Sequence, residues 1–177
     1  MSVNKKRLTG VVLTAVFAAL LCVLSPITLP FGAVPFTMSV FAVCCTSVIT
    51  EEKASLSTAL YILIGAAGLP VFAGFAGGLG VLTGATGGFV IGYIPFALIT
   101  GLAARKRKRA RFDFLFSLLG LISCYICGCA WYFITTRADF LQGLTVCVFP
   151  FIIPDIIKIA AGVLCGRKIK SILRRSR

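Results

Sequence analysis

Two ionisable side chains, Asp155 and Lys158, lie inside an otherwise apolar stretch of the chain, residues 141–165. Because they are three residues apart, a helix would place both on one face. Ionisable groups within a bilayer are energetically costly and usually face a cavity or a polar ligand. Pro150 and Pro154 come shortly before Asp155, and proline leaves backbone carbonyls that need another partner. The pattern predicts a polar binding site, with a structural ion pair or charges near the membrane surface as the alternative.

A glycine-rich segment, residues 70–88, is the second candidate for binding chemistry. Glycine lets the backbone approach a ligand closely and present its N–H groups. The segment lacks the Gly-Lys-Ser/Thr ending of a phosphate-binding loop. A flexible surface loop is one interpretation. Its apolar side chains favour a lid that folds back over the rest of the protein; these are Phe72, Phe75, Leu79, Val81 and Leu82.

The elements that position these residues are predicted from hydropathy. Of the 177 residues, 59% are hydrophobic and only 13% charged, and the mean hydropathy is +1.03. Residues 8–50 and 54–104 contain no Asp, Glu, Lys or Arg. A bilayer-spanning helix needs about 20 largely apolar residues. We therefore predict one all-α transmembrane domain, residues 1–177, with six helices at about 8–24, 36–50, 54–68, 89–104, 114–135 and 141–165. The first is longer than the apolar core of a signal peptide, so we expect it to be retained.

The basic residues predict the orientation of the chain. With six spans, sixteen of the 18 Lys and Arg residues fall on one side, in the termini, the connection at Lys53 and the cluster 105–111. The positive-inside rule then places both termini in the cytoplasm. The net charge of +13 is typical of nucleic-acid-binding proteins, but the basic runs flank apolar segments, and the longest of them, residues 105–109, contains no aromatic residue. We expect anionic lipid headgroups as their partners and no nucleic acid.

Catalytic and metal-binding patterns are scarce in this sequence. It contains no His, no paired carboxylates and no nucleotide-binding motif, which disfavours acid–base catalysis and ATP hydrolysis by this chain. Cys124, Cys127 and Cys129 form a cluster that could bind a metal or undergo redox chemistry. Cysteine as a small packing residue between helices is the favoured interpretation. We expect no metal and no cofactor.

The first predicted span carries a weaker signal. Ala15 and Ala19 are four residues apart, with Thr14 and Ala18 beside them. Such small-xxx-small spacing lets another helix approach closely.

Several segments together resemble the BioY family, the biotin-specific substrate-binding (S) components of energy-coupling factor (ECF) transporters. The similarity runs in order along nearly the whole chain, at residues 34–43 (VPFTMSVFAV), 68–74 (GLPVFAG), 77–82 (GGLGVL), 84–89 (GATGGF) and 150–158 (PFIIPDIIK). Two positions depart from the usual family pattern. Ala85 stands where Pro is common, and Ser39-Val40 stand where Gln-Thr are common.

The resemblance implies a six-helix, multi-pass S component of the plasma membrane, the inner membrane of a bacterium, that captures biotin from outside. A transmembrane coupling (T) protein and two ATPase subunits would then energise uptake, with Ala15 and Ala19 contacting the coupling protein.

The resemblance also suggests how biotin would be held. Lys158 would pair with the carboxylate, and Asp155 would accept from a ureido N–H or orient Lys158; the reverse arrangement, with Lys158 near the ureido carbonyl, stays open. The other expected binding residues are Thr37, Ser39 and Thr86 through their hydroxyls, Gly84 and Gly87 through their backbone, and Phe72 and Tyr93 through apolar contact.

Three alternative functions remain. An S component for another vitamin would share this architecture. A membrane enzyme acting on lipid would have only Asp155 as an acid–base group. A self-sufficient secondary transporter would be expected to show an internal repeat, and none is evident.

Overall fold

The computed structural model describes residues 2–29, 36–106, 109–137 and 139–175. Within these ranges the chain is almost entirely helical. The helices are α1 (Ser2–Leu24), α2 (Ser39–Thr50), α3 (Ala54–Ala66), α4 (Leu79–Thr83), α5 (Gly87–Lys106), α6 (Ala110–Thr136), α7 (Phe140–Cys147) and α8 (Phe149–Arg175). A two-stranded antiparallel ribbon, β1 (Thr28–Leu29) with β2 (Phe36–Thr37), connects α1 to α2.

All six predicted spans are helical over most of their length, and four helical segments are long and apolar enough to cross a membrane. Among the described residues these segments are Arg7–Leu24, Gly87–Lys106, Ala110–Thr136 and Gly143–Leu173. The helices α2 and α3 have only 12 and 13 residues, or about 20 Å against the roughly 30 Å of a bilayer core. The count of six complete spans therefore stays a prediction. Residues 36–37 form β2 and are not part of the second span.

The prediction of one continuous helix over residues 141–165 is wrong in detail. The helix breaks at Val148, so that α7 and α8 are separate, and α8 continues ten residues further, to Arg175. Pro150 explains the break, because proline is tolerated in the first turn of a helix but not in its interior. Pro154 lies where its missing N–H would have paired with the carbonyl of Pro150, still within the first turns of α8.

The prediction of a loop over residues 70–88 is also only partly correct. This connection between α3 and α5 contains α4 and a 3-10 turn at Ala73–Phe75, and α5 already begins at Gly87. We call residues 67–86 the lid segment. Of its apolar side chains, Phe72, Val81 and Leu82 pack inward, whereas Phe75 and Leu79 are exposed. The glycines permit the reversals between the short helical turns, and Gly68, Gly74 and Gly78 have positive φ.

The helix α2 lies at the centre of the protein, with all but one of its residues buried. It packs between α5 and α8. Gly162 and Gly166 of α8 lie directly against α2. A Cβ added at Gly162 would lie 3.1 Å from Phe41 O, and one added at Gly166 would lie 3.1 Å from Cys45 O. Small residues permit this close packing where the lipid provides no hydrophobic drive between helices. Large apolar side chains on α1, α6 and α8 are instead exposed, as expected for surfaces in contact with lipid chains.

Among the described residues, three ion pairs join separate segments at the basic end of the bundle, where α5 ends and α6 begins. Arg167 Nη1 lies 2.5 Å from Asp113 Oδ2, and Lys170 Nζ lies 2.9 Å from Glu51 Oε1. Arg105 pairs with Glu52. Part of the basic cluster assigned above to lipid headgroups is therefore paired within the protein, whereas Lys106 and Arg109 remain exposed.

Candidate functional site

The two ionisable residues of the sixth predicted span are buried in the N-terminal half of α8. Asp155 is 2% exposed and Lys158 is 7% exposed. Lys158 Nζ donates to Asp155 Oδ1 at 2.8 Å, and Tyr125 of α6 donates its hydroxyl to Asp155 Oδ2 at 2.8 Å. Each carboxylate oxygen thus accepts one hydrogen bond, and each has lone-pair capacity left for a further donor. The pair is electrically neutral and faces an internal cavity.

An aromatic ring covers the ammonium group. The Phe36 ring centroid lies 3.5 Å from Lys158 Nζ, a distance typical of a cation–π contact. The ribbon sets the position of this ring, because Phe36 pairs with Leu29 and Thr37 pairs with Thr28. Phe36 lies within the 34–43 motif, but the sequence offered no reason to single it out as a site residue.

The cavity is walled by residues from six helices, the ribbon and the lid segment. The space between its walls, including the open solvent at its mouth, is about 680 Å³. Apart from the ion pair, its polar groups are hydroxyls and thiols. Its lining consists of Thr37, Ser39, Val40, Tyr61, Phe72, Ala73, Val81, Thr86, Phe89, Val90, Tyr93, Leu121, Cys124, Tyr125, Cys147, Phe151, Asp155 and Lys158.

The structure brings seven of the nine sequence-predicted binding residues together around this cavity. They are Thr37, Ser39, Phe72, Thr86, Tyr93, Asp155 and Lys158. Gly84 and Gly87 do not line it. The carbonyl of Gly84 accepts a hydrogen bond from Trp131, and Gly87 is packed so tightly that an added Cβ would overlap the backbone of Leu82. These two glycines therefore shape the lid segment and do not contact the cavity.

The lid segment is anchored at its first half by a buried aromatic side chain. Phe72 is fully buried and meets Tyr61 edge-on, with ring centroids 5.6 Å apart. Gly65 leaves the space for this ring, since any Cβ there would overlap it. The backbone adds two hydrogen bonds, from Gly78 N–H to Gly65 O at 2.7 Å and from Phe72 N–H to Ala76 O at 2.9 Å. The segment is thus an ordered cover over the cavity.

Sequence reasoning missed most of the contribution of α6. Tyr125, Leu121 and Cys124 line the cavity, but they lie in a span of nearly uniform hydrophobicity. Tyr125 could have been identified from the sequence as a candidate polar residue, because a tyrosine hydroxyl within a span requires a hydrogen-bond partner. Its partner, Asp155, is 30 residues away and could not be identified from the sequence.

Cys124 and Cys129 of the cysteine cluster lie in packed regions of the protein. Cys124 packs against Gly92 and the carbonyl of Phe89, and Cys129 belongs to a second apolar cluster with Cys147 and Phe151.

Ala15 and Ala19 are exposed on α1. Ala15 borders a shallow groove between α1 and α3, which is formed by Gly10, Val11, Thr14, Lys53, Leu56 and Leu60.

The fold and the site define a class: a helical membrane protein with an internal cavity that an ordered lid partly covers. A solved structure has the same fold; it is the S-component for biotin from an ECF-type ABC transporter. It aligns with a TM-score of 0.84 over 95% of this chain and 94% of its own, at 21% sequence identity.

The BioY family model matches residues 1–175, and the chain belongs to the BioY family. Among its relatives, the probable biotin transporter BioY of Pyrococcus horikoshii is 36% identical over 159 residues, covering 89% of this chain and 94% of the relative. The biotin transporter BioY of Thermotoga maritima is 36% identical over 160 residues, covering 89% and 93%. BioY2 of Lactococcus lactis, also named a biotin transporter, is 30% identical over 162 residues, covering 90% and 89%.

Proposed function

We propose that this protein captures biotin and serves in its uptake as the S component of an ECF-type transporter. The observation that carries the proposal is the neutral, buried Asp155–Lys158 pair, which faces an enclosed, mainly apolar cavity. Family membership supports the choice of ligand, because the curated relatives are named biotin transporters. The protein is then a transport component and not an enzyme.

Charge balance favours one orientation of biotin. A carboxylate placed beside Lys158 would add a second negative group next to Asp155 and leave a net buried charge, which costs several kcal/mol. The ureido ring is neutral and offers N–H donors and a carbonyl acceptor. Asp155 can accept from an N–H while Lys158 donates to the carbonyl. We therefore place the ureido ring at the ion pair, the reverse of the pairing that put the carboxylate on Lys158.

The carboxylate would then lie towards the first turn of α5. Thr86 lines the cavity and directly precedes α5, whose N-terminus carries partial positive charge from the helix dipole. The Thr37 and Ser39 hydroxyls also border the cavity. The aromatic walls, including Phe72 and Tyr93, would contact the bicycle and the valeryl chain.

Equilibrium binding of biotin and two analogues to the purified protein tests function and orientation together. Biotin methyl ester has no carboxylate charge but keeps the ureido ring. The diamine obtained by opening that ring keeps the carboxylate. We expect the ester to bind within about tenfold of biotin and the diamine to lose at least a hundredfold, about 2.8 kcal/mol. The opposite order would place the carboxylate at Lys158. Binding of another vitamin that excess biotin does not displace would identify an S component of another specificity.

Lys158→Ala provides the mutational test of the same site. A charged or polar ligand group that loses its partner in a dry pocket costs about 1–3 kcal/mol, so we expect at least tenfold weaker biotin binding. Lys170→Ala is the matched control, because Lys170 is also a paired lysine of α8 but lies at the basic end, far from the cavity. Unchanged affinity in Lys158→Ala would contradict the assignment.

The partners follow from the ECF mechanism: a T protein and two ATPase subunits that hydrolyse ATP. Ala15 and Ala19 are exposed on α1 and available for helix contact. We expect Ala15→Leu/Ala19→Leu to retain biotin binding and to lose co-purification with the T protein and biotin uptake in cells. Val12→Leu/Val16→Leu, at exposed positions of the same helix, is the control.

The location follows from the same proposal: a multi-pass protein of the plasma membrane with both termini in the cytoplasm. Exposed basic residues such as Lys106 and Arg109 would contact anionic lipids. A C-terminal green fluorescent protein fusion should fluoresce, and a C-terminal alkaline phosphatase fusion should be inactive. The reverse result would place the C-terminus outside.

A further inference from the structure

The single tryptophan of the chain contacts the lid segment. Trp131 lies near the end of α6, and its indole Nε1–H donates to Gly84 O at 3.0 Å. Gly84 directly follows α4, at the point where the lid segment turns towards α5. The bond therefore joins the second half of the lid to a helix that also lines the cavity.

Packing reinforces this contact. Gly88, in the first turn of α5, lies against Trp131 and against the carbonyl of Cys127, and an added Cβ would overlap the Cβ of Trp131. The backbone between Gly84 and Gly88 is thus held directly against the tryptophan. Thr86, which lies between these glycines, lines the cavity, so the position of the tryptophan bears on a cavity-lining residue.

The two halves of the lid segment are anchored in different ways. Phe72 is fully buried beside Tyr61 and fills the space above Gly65. The second half, around α4, has no buried residue, and Leu79 is 67% exposed. Val81 and Leu82 of this half pack against the core only as half-buried side chains, and the second half has no fully buried anchor such as Phe72. The second half is therefore the part of the cover that opens at lower cost.

We propose that Trp131 is a positioning residue that latches the second half of the lid segment over the substrate cavity. Release of the bound molecule requires the Nε1–H to Gly84 O bond to break, α4 to move away and Thr86 to leave the cavity wall. The proposal rests on the proposed function for the identity of the ligand, but the latch itself belongs to the ligand-free protein.

The decisive variant removes the hydrogen bond and keeps the shape. Benzothienylalanine at position 131 retains the bicyclic ring but replaces the N–H with sulfur; Trp131→Phe removes the bond and part of the packing. A net hydrogen-bond contribution of ordinary size corresponds to about a three- to tenfold change in rate. We expect labelled biotin to dissociate about three- to tenfold faster from both variants, with an association rate constant changed less than twofold. Tyr132→Phe, at the next position of α6, should dissociate like the wild type.

Hydrogen exchange without ligand separates failure of the latch from failure of the biotin assignment. In the benzothienylalanine variant, amides of residues 79–86 should exchange at least threefold faster, while those around Phe72 keep their wild-type rates. Unchanged exchange at 79–86 would overturn the latch whatever the ligand is. Faster exchange in a protein that does not bind biotin would support the latch and refute only the proposed substrate. An unchanged dissociation rate from a variant that binds biotin would also overturn the latch.

Discussion

Two ion pairs on the same helix, α8, have opposite structural roles. Asp155–Lys158 joins two residues of α8 one turn apart, whereas Asp113–Arg167 joins the start of α6 to the second half of α8. The acid of each pair is almost completely buried. The first pair faces the cavity together with Tyr125 and Phe36, and the second lies at the basic end of the bundle.

The difference lies in what each pair holds in place. The salt bridge between residues three apart on one helix does not itself join two helices, and burying it has a desolvation cost. Under the proposed function, a ligand that completes its hydrogen bonds would offset this cost. Asp113–Arg167 links elements 54 residues apart, so that it can stabilise the packing of α6 against α8. One pair is therefore expected to govern binding and the other to govern folding.

Arg167→Ala should produce the largest effect on stability. It leaves Asp113, which is 1% exposed, as an uncompensated buried charge, and breaking a buried pair in this way costs about 3–5 kcal/mol. Thermal unfolding in detergent should show a clear loss of stability. The folded fraction should bind biotin with an affinity within about threefold of wild type, a change in binding free energy well under about 1.4 kcal/mol. Strong loss of affinity without loss of stability would reverse the roles assigned to the two pairs.

Tyr125→Phe should weaken binding with a small effect on folding. The substitution removes the donor to Asp155 Oδ2 but keeps the ring between α6 and α8. Hydrogen bonds to charged groups contribute about 1.5–3 kcal/mol, so we expect at least tenfold weaker biotin binding by titration calorimetry. Tyr132→Phe on the same helix is the control, since Tyr132 does not line the cavity. Equal losses in both variants would mean that the hydroxyl at 125 has no special role.

Phe36→Leu should have a smaller effect on the same site. It removes the aromatic face above Lys158 Nζ while keeping an apolar side chain on β2. A cation–π contact is worth about 0.5–2 kcal/mol, which corresponds to a loss of about two- to thirtyfold in biotin affinity. Phe36→Tyr keeps the aromatic face and should bind like the wild type. If the leucine variant also does so, the ring is a steric cover only.

Arg105→Ala should have the smallest effect. Its partner is Glu52, and both side chains are about half exposed, at 56% and 49%. Exposed ion pairs contribute about 0–1 kcal/mol, so we expect a change in unfolding free energy well below that of Arg167→Ala. Glu52→Ala should match it. A loss comparable to Arg167→Ala would mean that burial is not what separates the ion pairs at this end of the molecule.

Much of the fold could be predicted from the sequence, because a bilayer imposes a length and a polarity on every element that crosses it. Runs without charge predicted α5 and α6 to within a few residues, whereas α1 begins earlier and α8 ends later than predicted, because both extend into charged segments that hydropathy excludes. The break at Val148 was missed, since hydropathy does not distinguish one helix from two joined end to end. The short turns within the lid segment were missed because five-residue helices have no periodic signal.

The sequence by itself determined which residues could carry binding chemistry. A charged pair is conspicuous in an apolar span, so Asp155 and Lys158 could be identified without coordinates. Their neighbours could not be. Tyr125 and Phe36 come from other elements, and only tertiary packing decides which side chains meet across a distance of many residues. The same packing assigned Gly84 and Gly87 to the shape of the lid instead of the cavity. It also decided that Arg167 meets Asp113, an ion pair between two helices whose partners are 54 residues apart.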